Sequence, residues 1–188
     1  RARDFSVVAE SITKYQCNAT ANLTAAELAP FPGNACEGVQ PGDTIEVHWV
    51  HSSCDVAPGS GLGSCLSESC ANPDLRVETQ VFLVVNDPGA MDFRELAYGG
   101  TVRNGFHQPR ALPVDTGAPV EFLGSTTGPS FTEQTCSPLQ VSWSVRPQCA
   151  RVDISSLSAW CADNVFEEDS AHGVRELVTD VTLLSPID

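Results

Sequence analysis

The residues best able to do chemistry in this chain are four histidines, His48, His51, His107 and His172. Two of them stand three apart inside Asp43–Cys54, DTIEVHWVHSSC. Neutral imidazole is the commonest transition-metal ligand, and three imidazoles on one ion leave a fourth position for water, the usual catalytic zinc arrangement. Other chemistries lack their signatures. HExxH is absent, which removes the common metalloprotease, and without CxxC neither the cysteine-rich zinc knuckle nor the thioredoxin-type redox motif has its usual spacing. The glycines of GSGLGSC (59–65) invite a phosphate-loop reading, but no lysine and no GK[ST] ending follow them.

The elements that must position the histidines follow from hydrophobic period. Thr44–Val50 alternates as a strand, with Ile45, Val47 and Trp49 on one face and Thr44, Glu46, His48 and Val50 on the other. A period of two sends His48 and His51 to opposite faces, so they serve one ion only if the backbone kinks, for which Ser52-Ser53-Cys54 is the place. Leu75–Val85, LRVETQVFLVV, predicts a central strand, Leu75, Val77, Thr79, Val81 and Leu83 sharing a face. Its opposite face carries Glu78 and Gln80, which are either partners for the outer nitrogens of metal-bound imidazoles or a solvated strand end. His107 follows an Asn-Gly turn within Thr101–Pro113, where it could meet a strand site from the front or sit as a surface turn residue. His172, after the acidic Glu167-Glu168-Asp169, reads as a ligand, a proton relay or a surface residue.

Around these elements, Tyr15–Gly42 reads as a long loop with a helical turn at Thr24–Ala29, and Asp55–Pro73 as a loop forming one wall of a pocket. Asp87-Pro88 should start a helix over Ala90–Tyr98 that Gly99-Gly100 stops, and Ser155 should cap a second over Ser156–Asp163. Val120–Leu123, Leu139–Arg146 and Arg175–Leu184 supply further strands, with a loop over Gly124–Pro138. The fold expected is mainly β (α+β): a single disulfide-stapled β-sheet domain with a few short helices and long loops. Residues 1–42 form a loop-rich extension and 43–188 the core.

Composition bounds the partners. Nine arginines and one lysine face 24 acidic residues, for a net charge of −14, so nucleic acid and anionic membrane surfaces would be repelled. The longest apolar run, Val81–Val85, is far too short to span a bilayer. Eight cysteines point to disulfides and an oxidising compartment, so the chain is expected to be a mature secreted or periplasmic product whose leader has been removed. Chain proximity favours Cys17 with Cys36, Cys54 with Cys65 or Cys70, and two pairs among the rest. Nothing in the sequence sets the oligomeric state.

Several stretches resemble the delta-class carbonic anhydrases of marine algae and their bacterial relatives: EVHWVHSSCDV (46–56), GLGSCLS (61–67), NPDLRVETQVFLVVND (72–87), GSTTGPSF (124–131), CSPLQVSWSVRPQC (136–149) and AHGVRELV (171–178). The resemblance implies a Zn²⁺ lyase interconverting carbon dioxide and bicarbonate by metal-bound hydroxide, its metal held by three histidines and a water. His48 and His107 come first as ligands, then His51 and His172, and an unligated fourth would serve as proton shuttle. Glu78, Thr79, Ser52 and Ser142 are candidates to orient the attacking oxygen. Trp49, Val50, Val81 and Trp143 are candidates for an apolar wall. Two other readings stay open: a secreted zinc esterase, and a non-catalytic disulfide-stapled binding module.

Overall fold

A computed structural model describes residues 17–125 and 139–171. The expected strands at 44–50 and 75–85 form as β1, Thr44–Ser52, and β2, Leu75–Val85. After a short helix α1, Phe93–Leu96, come the hairpin strands β3, Val102–Arg103, and β4, Phe106–His107. Strands β5, Val120–Ser125, and β6, Gln140–Asp153, precede helix α2, Ile154–Ala162. A four-stranded mixed sheet runs β1-β2-β6-β5, so β2 is central as its apolar run requires: antiparallel to β1, parallel to β6.

Apolar clusters pack on both faces of the sheet around β1, β2 and β6. On one, Ile45, Val47, Trp49, Phe82, Val84, Ala150 and Val152 pack with Phe93, Leu157 and Trp160 of the two helices into the main core. Phe93 stands edge-on to both Phe82 and Trp160, and its N–H donates to Ser156 Oγ at 2.9 Å, tying α1 to α2. On the other face two smaller clusters form, Leu75, Val77 and Val141 with Cys65, and Leu83 and Val85 with Cys17.

The fold is mainly β with disulfide staples, but several details differ from expectation. Strand β6 runs on to Asp153 through Pro147, a residue that should end a central strand. It does so because the register shifts there: Gln80 pairs with Arg146 and Phe82 with Ala150, which leaves Pro147–Cys149 as a bulge needing no ladder N–H from the proline. Gln80, fully buried, donates through Nε2 to Gln148 O and Val81 O, both at 2.7 Å, and so satisfies the carbonyls the bulge sets free. Helix α1 is shorter than Ala90–Tyr98 and is capped by Asp92, which accepts from Arg94 N, rather than by Asp87. Asp153 caps α2 in place of Ser155, whose hydroxyl instead donates to Asp153 Oδ2. The turn at Thr24–Ala29 forms, with Thr24 and Glu27 bonded reciprocally through backbone and side chain.

Disulfide pairing departs from chain proximity. Cys54–Cys70 forms as expected, but Cys17 joins Cys149 rather than Cys36, and Cys36 joins Cys161. Folding brings the partners together. Cys17 N donates to Thr44 Oγ1 at 3.0 Å beside the sheet, and Ala35 N donates to Ser158 Oγ at 2.8 Å, which lays Cys36 against α2. The segment before β1 is thereby stitched to the core, where Cys36 and Val39 are buried. Among the described residues no helix is long and apolar enough to cross a membrane. Arg175–Leu184 and most of Gly124–Pro138 lie outside the described residues, as does His172.

Candidate metal centre

Strand β1 is regular to its end, each residue from Thr44 to Ser52 paired in turn with β2 from Leu83 back to Leu75. No kink intervenes, so His48 and His51 fall on opposite faces. His48 is buried, accepts or donates through Nε2 with Glu46 Oε2 at 3.1 Å, and stands edge-on to Trp143 at 5.4 Å. His51 shares the face of Trp49 and turns into an open cavity of about 100 Å³ beside the main core.

That cavity collects parts far apart in sequence. Trp49, Val50, His51 and Ser52 enter from β1, Tyr98 follows α1, Phe106 and His107 come from β4, and Trp160 and Phe166 close the floor. The loop from Asp55 to Gly59, with Ser64 and Cys65, forms the expected wall. Ser52 holds that wall in place: its Oγ donates to Cys65 O at 2.6 Å and accepts from Cys54 N at 3.1 Å. Asn104 and Gly105 both take positive φ, 53° and 84°, the primed turn that an Asn-Gly pair supports, and the hairpin so formed sets His107 in the lining of the same cavity as His51.

The two imidazoles differ in surroundings. His51 Nδ1 is buried with no hydrogen-bond partner, and burial holds the ring's pKa below its ordinary value, with the Glu78 charge pulling partly back. A buried ring nitrogen with no hydrogen-bond partner carries an uncompensated desolvation cost of the kind folded proteins rarely leave. His107 is exposed, and its Nδ1 lies 2.8 Å from Tyr98 Oη, which leaves Nε2 available.

Other candidates are occupied or elsewhere. Glu78 shares the His51 face but is engaged by Arg76 Nε at 2.7 Å and Arg146 Nη1 at 2.8 Å. Burial would raise its carboxyl, yet the two guanidiniums outweigh this and hold it below the usual carboxylate range. Thr79, 1% exposed with Oγ1 unpartnered, lies on the His48 face. Val50 and Trp49 line the cavity; Val81 and Trp143 do not. Tyr98, Trp160 and Phe166 are cavity residues that pattern reading missed, because their roles depend on tertiary packing. Only the position of Tyr98, just before Gly99-Gly100 and a hairpin that doubles back, was a usable signal.

A family model described as Delta carbonic anhydrase matches residues 2–156. The chain belongs to that family. No curated protein and no solved structure matches it. Membership supports a carbonic anhydrase function. The delta carbonic anhydrase match spans His48, His51 and His107 and ends before His172. Among the described residues no three of His, Cys, Asp and Glu gather into a group able to hold a metal ion.

Proposed function

We propose that the protein is a zinc-dependent carbonic anhydrase, reversibly hydrating carbon dioxide to bicarbonate and a proton in the cavity between His51 and His107. One observation carries the placement: imidazoles from two separate elements, β1 and β4, line the same cavity. Their chemistry fits a borderline-soft divalent cation. We assign the third donor to His172, the remaining histidine, which lies beyond the described residues. It follows Ala171, whose N–H donates to Glu37 O at 3.1 Å and which packs against the core cluster that includes Trp49, Trp160 and Phe166. A set drawn from 48, 51 and 107 alone would have to reach through the sheet, since His48 points away.

Bound there, zinc would supply Lewis acidity that brings the pKa of a coordinated water to about 7. The chain supplies the rest. Three neutral imidazoles leave the cation's charge uncancelled. Trp49, Val50 and Phe166 offer a small apolar molecule a surface with which water competes poorly. Glu78, whose carboxylate oxygens are taken up by Arg76 and Arg146, is held on the His51 face of the sheet as part of that ion-paired group. Ser52 gives its hydroxyl proton to the loop carbonyl of Cys65 and so holds the cavity wall. The disulfides and the acidic, lysine-poor surface fit secretion into an oxidising compartment such as the periplasm or the exterior.

Zinc analysis with stopped-flow carbon dioxide hydration tests this. About one tightly held zinc per chain and hydration activity lost on chelation support the proposal. Zinc present with ester cleavage but no hydration would favour an esterase, and protein that holds no zinc after mild purification would favour a binding module.

A further inference from the structure

We infer that Tyr98 is a positioning residue for His107: its phenol oxygen accepts the Nδ1–H of the ring, which fixes the tautomer that leaves Nε2 bare for a metal. This rests on His107 being a ligand.

His107 sits in a two-residue strand whose residues are both exposed, and its backbone pairs only with Val102, so nothing in the hairpin fixes the ring. Tyr98 does. Its Oη lies 2.8 Å from Nδ1, and the two rings meet edge-on at 5.6 Å and 75°. Tyr98 is itself anchored, edge-on to Phe166 at 6.4 Å, and the preceding Ala97 O accepts from Arg110 N at 3.0 Å. Phe166 is buried, and its N–H donates to Asn164 Oδ1, whose Nδ2 in turn donates to Trp160 O at the end of α2. A continuous line of packed groups thus runs from α2 to the His107 ring.

A phenol can donate or accept, and the direction decides what His107 can do. If Tyr98 donates to Nδ1, the neutral ring carries its proton on Nε2 and offers no lone pair to the cavity. If Nδ1–H donates to Tyr98, Nε2 is bare. Metal-bound histidines almost always donate the other ring N–H to an oxygen acceptor, and losing that acceptor typically weakens metal binding 10–100-fold. Tyr98 is the oxygen placed for this.

Two measurements test the inference. In the metal-free full chain, ¹⁵N shifts of the His107 ring should report the Nδ1–H tautomer; the Nε2–H tautomer overturns it without any substitution being needed. In Tyr98→Phe, which keeps the ring packing, zinc affinity measured by competition with a chromogenic chelator should fall about 10–100-fold. Affinity within twofold of the parent overturns the inference. His107→Ala separates the premises: if it empties the site while Tyr98→Phe leaves affinity intact, the positioning role fails and the ligand stands, and if it holds zinc as tightly as the parent, both fail.

Discussion

Replacing Glu78 with Gln should be among the most damaging single changes away from the hydrophobic core. The Glu78 side chain is 10% exposed and that of Arg146 14%, whereas Arg76 is 48% exposed. Removing the carboxylate strands a nearly buried guanidinium, a situation that typically costs 3–5 kcal/mol, while the half-exposed Arg76 contact is worth about 0–1 kcal/mol. We therefore expect Glu78→Gln to lose about 3–4 kcal/mol, Arg76→Ala under about 1 kcal/mol, and Glu78→Leu paired with Arg146→Met to recover most of the loss. Urea denaturation with disulfides intact measures all of these. The pH dependence has a definite sign: Glu78 has a depressed pKa in the folded protein, so its contribution is present above the ordinary carboxylate pKa and is lost as pH falls through the folded value. Acid sensitivity should accordingly be blunted in Glu78→Gln. A loss below about 1 kcal/mol in that variant, or Arg76→Ala as costly as Arg146→Ala, would refute the assignment of Arg146 as the buried partner.

Further outcomes follow from other parts of the fold. Trp49→Ala removes a 3% exposed ring whose Nε1 donates to Leu96 O at 2.9 Å, and should cost about 3–5 kcal/mol in chemical denaturation while enlarging the cavity. Gly105→Ala should cost about 1–2 kcal/mol through backbone strain alone, since a Cβ there meets nothing within 4 Å at φ 84°; its zinc affinity should fall further than its melting temperature suggests, because His107 hangs from that turn. Non-reducing peptide mapping should recover Cys17–Cys149, Cys36–Cys161 and Cys54–Cys70, and Cys17→Ala with Cys149→Ala should lose about 2–5 kcal/mol.

What the sequence made legible was local. Two-residue alternation over Leu75–Val85 identified β2 to the residue, strict alternation placed His48 and His51 on opposite faces, and an Asn-Gly pair marked the hairpin that carries His107. What it hid was set by contacts between distant segments. The strand expected to stop at Arg146 runs on to Asp153 because a bulge and Gln80 accommodate Pro147. Capping by Asp153 rather than Ser155 turned on where β6 stopped, a boundary that period alone leaves loose by a residue or two. Cysteine pairing followed the stacking of the N-terminal segment on sheet and helix, which proximity along the chain does not encode. For the same reason Tyr98 and the aromatic floor of the cavity were invisible until the hairpin and α2 were placed.

The central claim is that the metal lies on the Trp49 face of the sheet, between β1 and the hairpin. Zinc content of four full-length variants, each with one histidine changed to alanine, tests it most directly. His51→Ala, His107→Ala and His172→Ala should each lose the metal, and His48→Ala should keep about one zinc per chain. A site emptied by His48→Ala and kept by His51→Ala would contradict the account, since it would put the cation on the other side of the sheet.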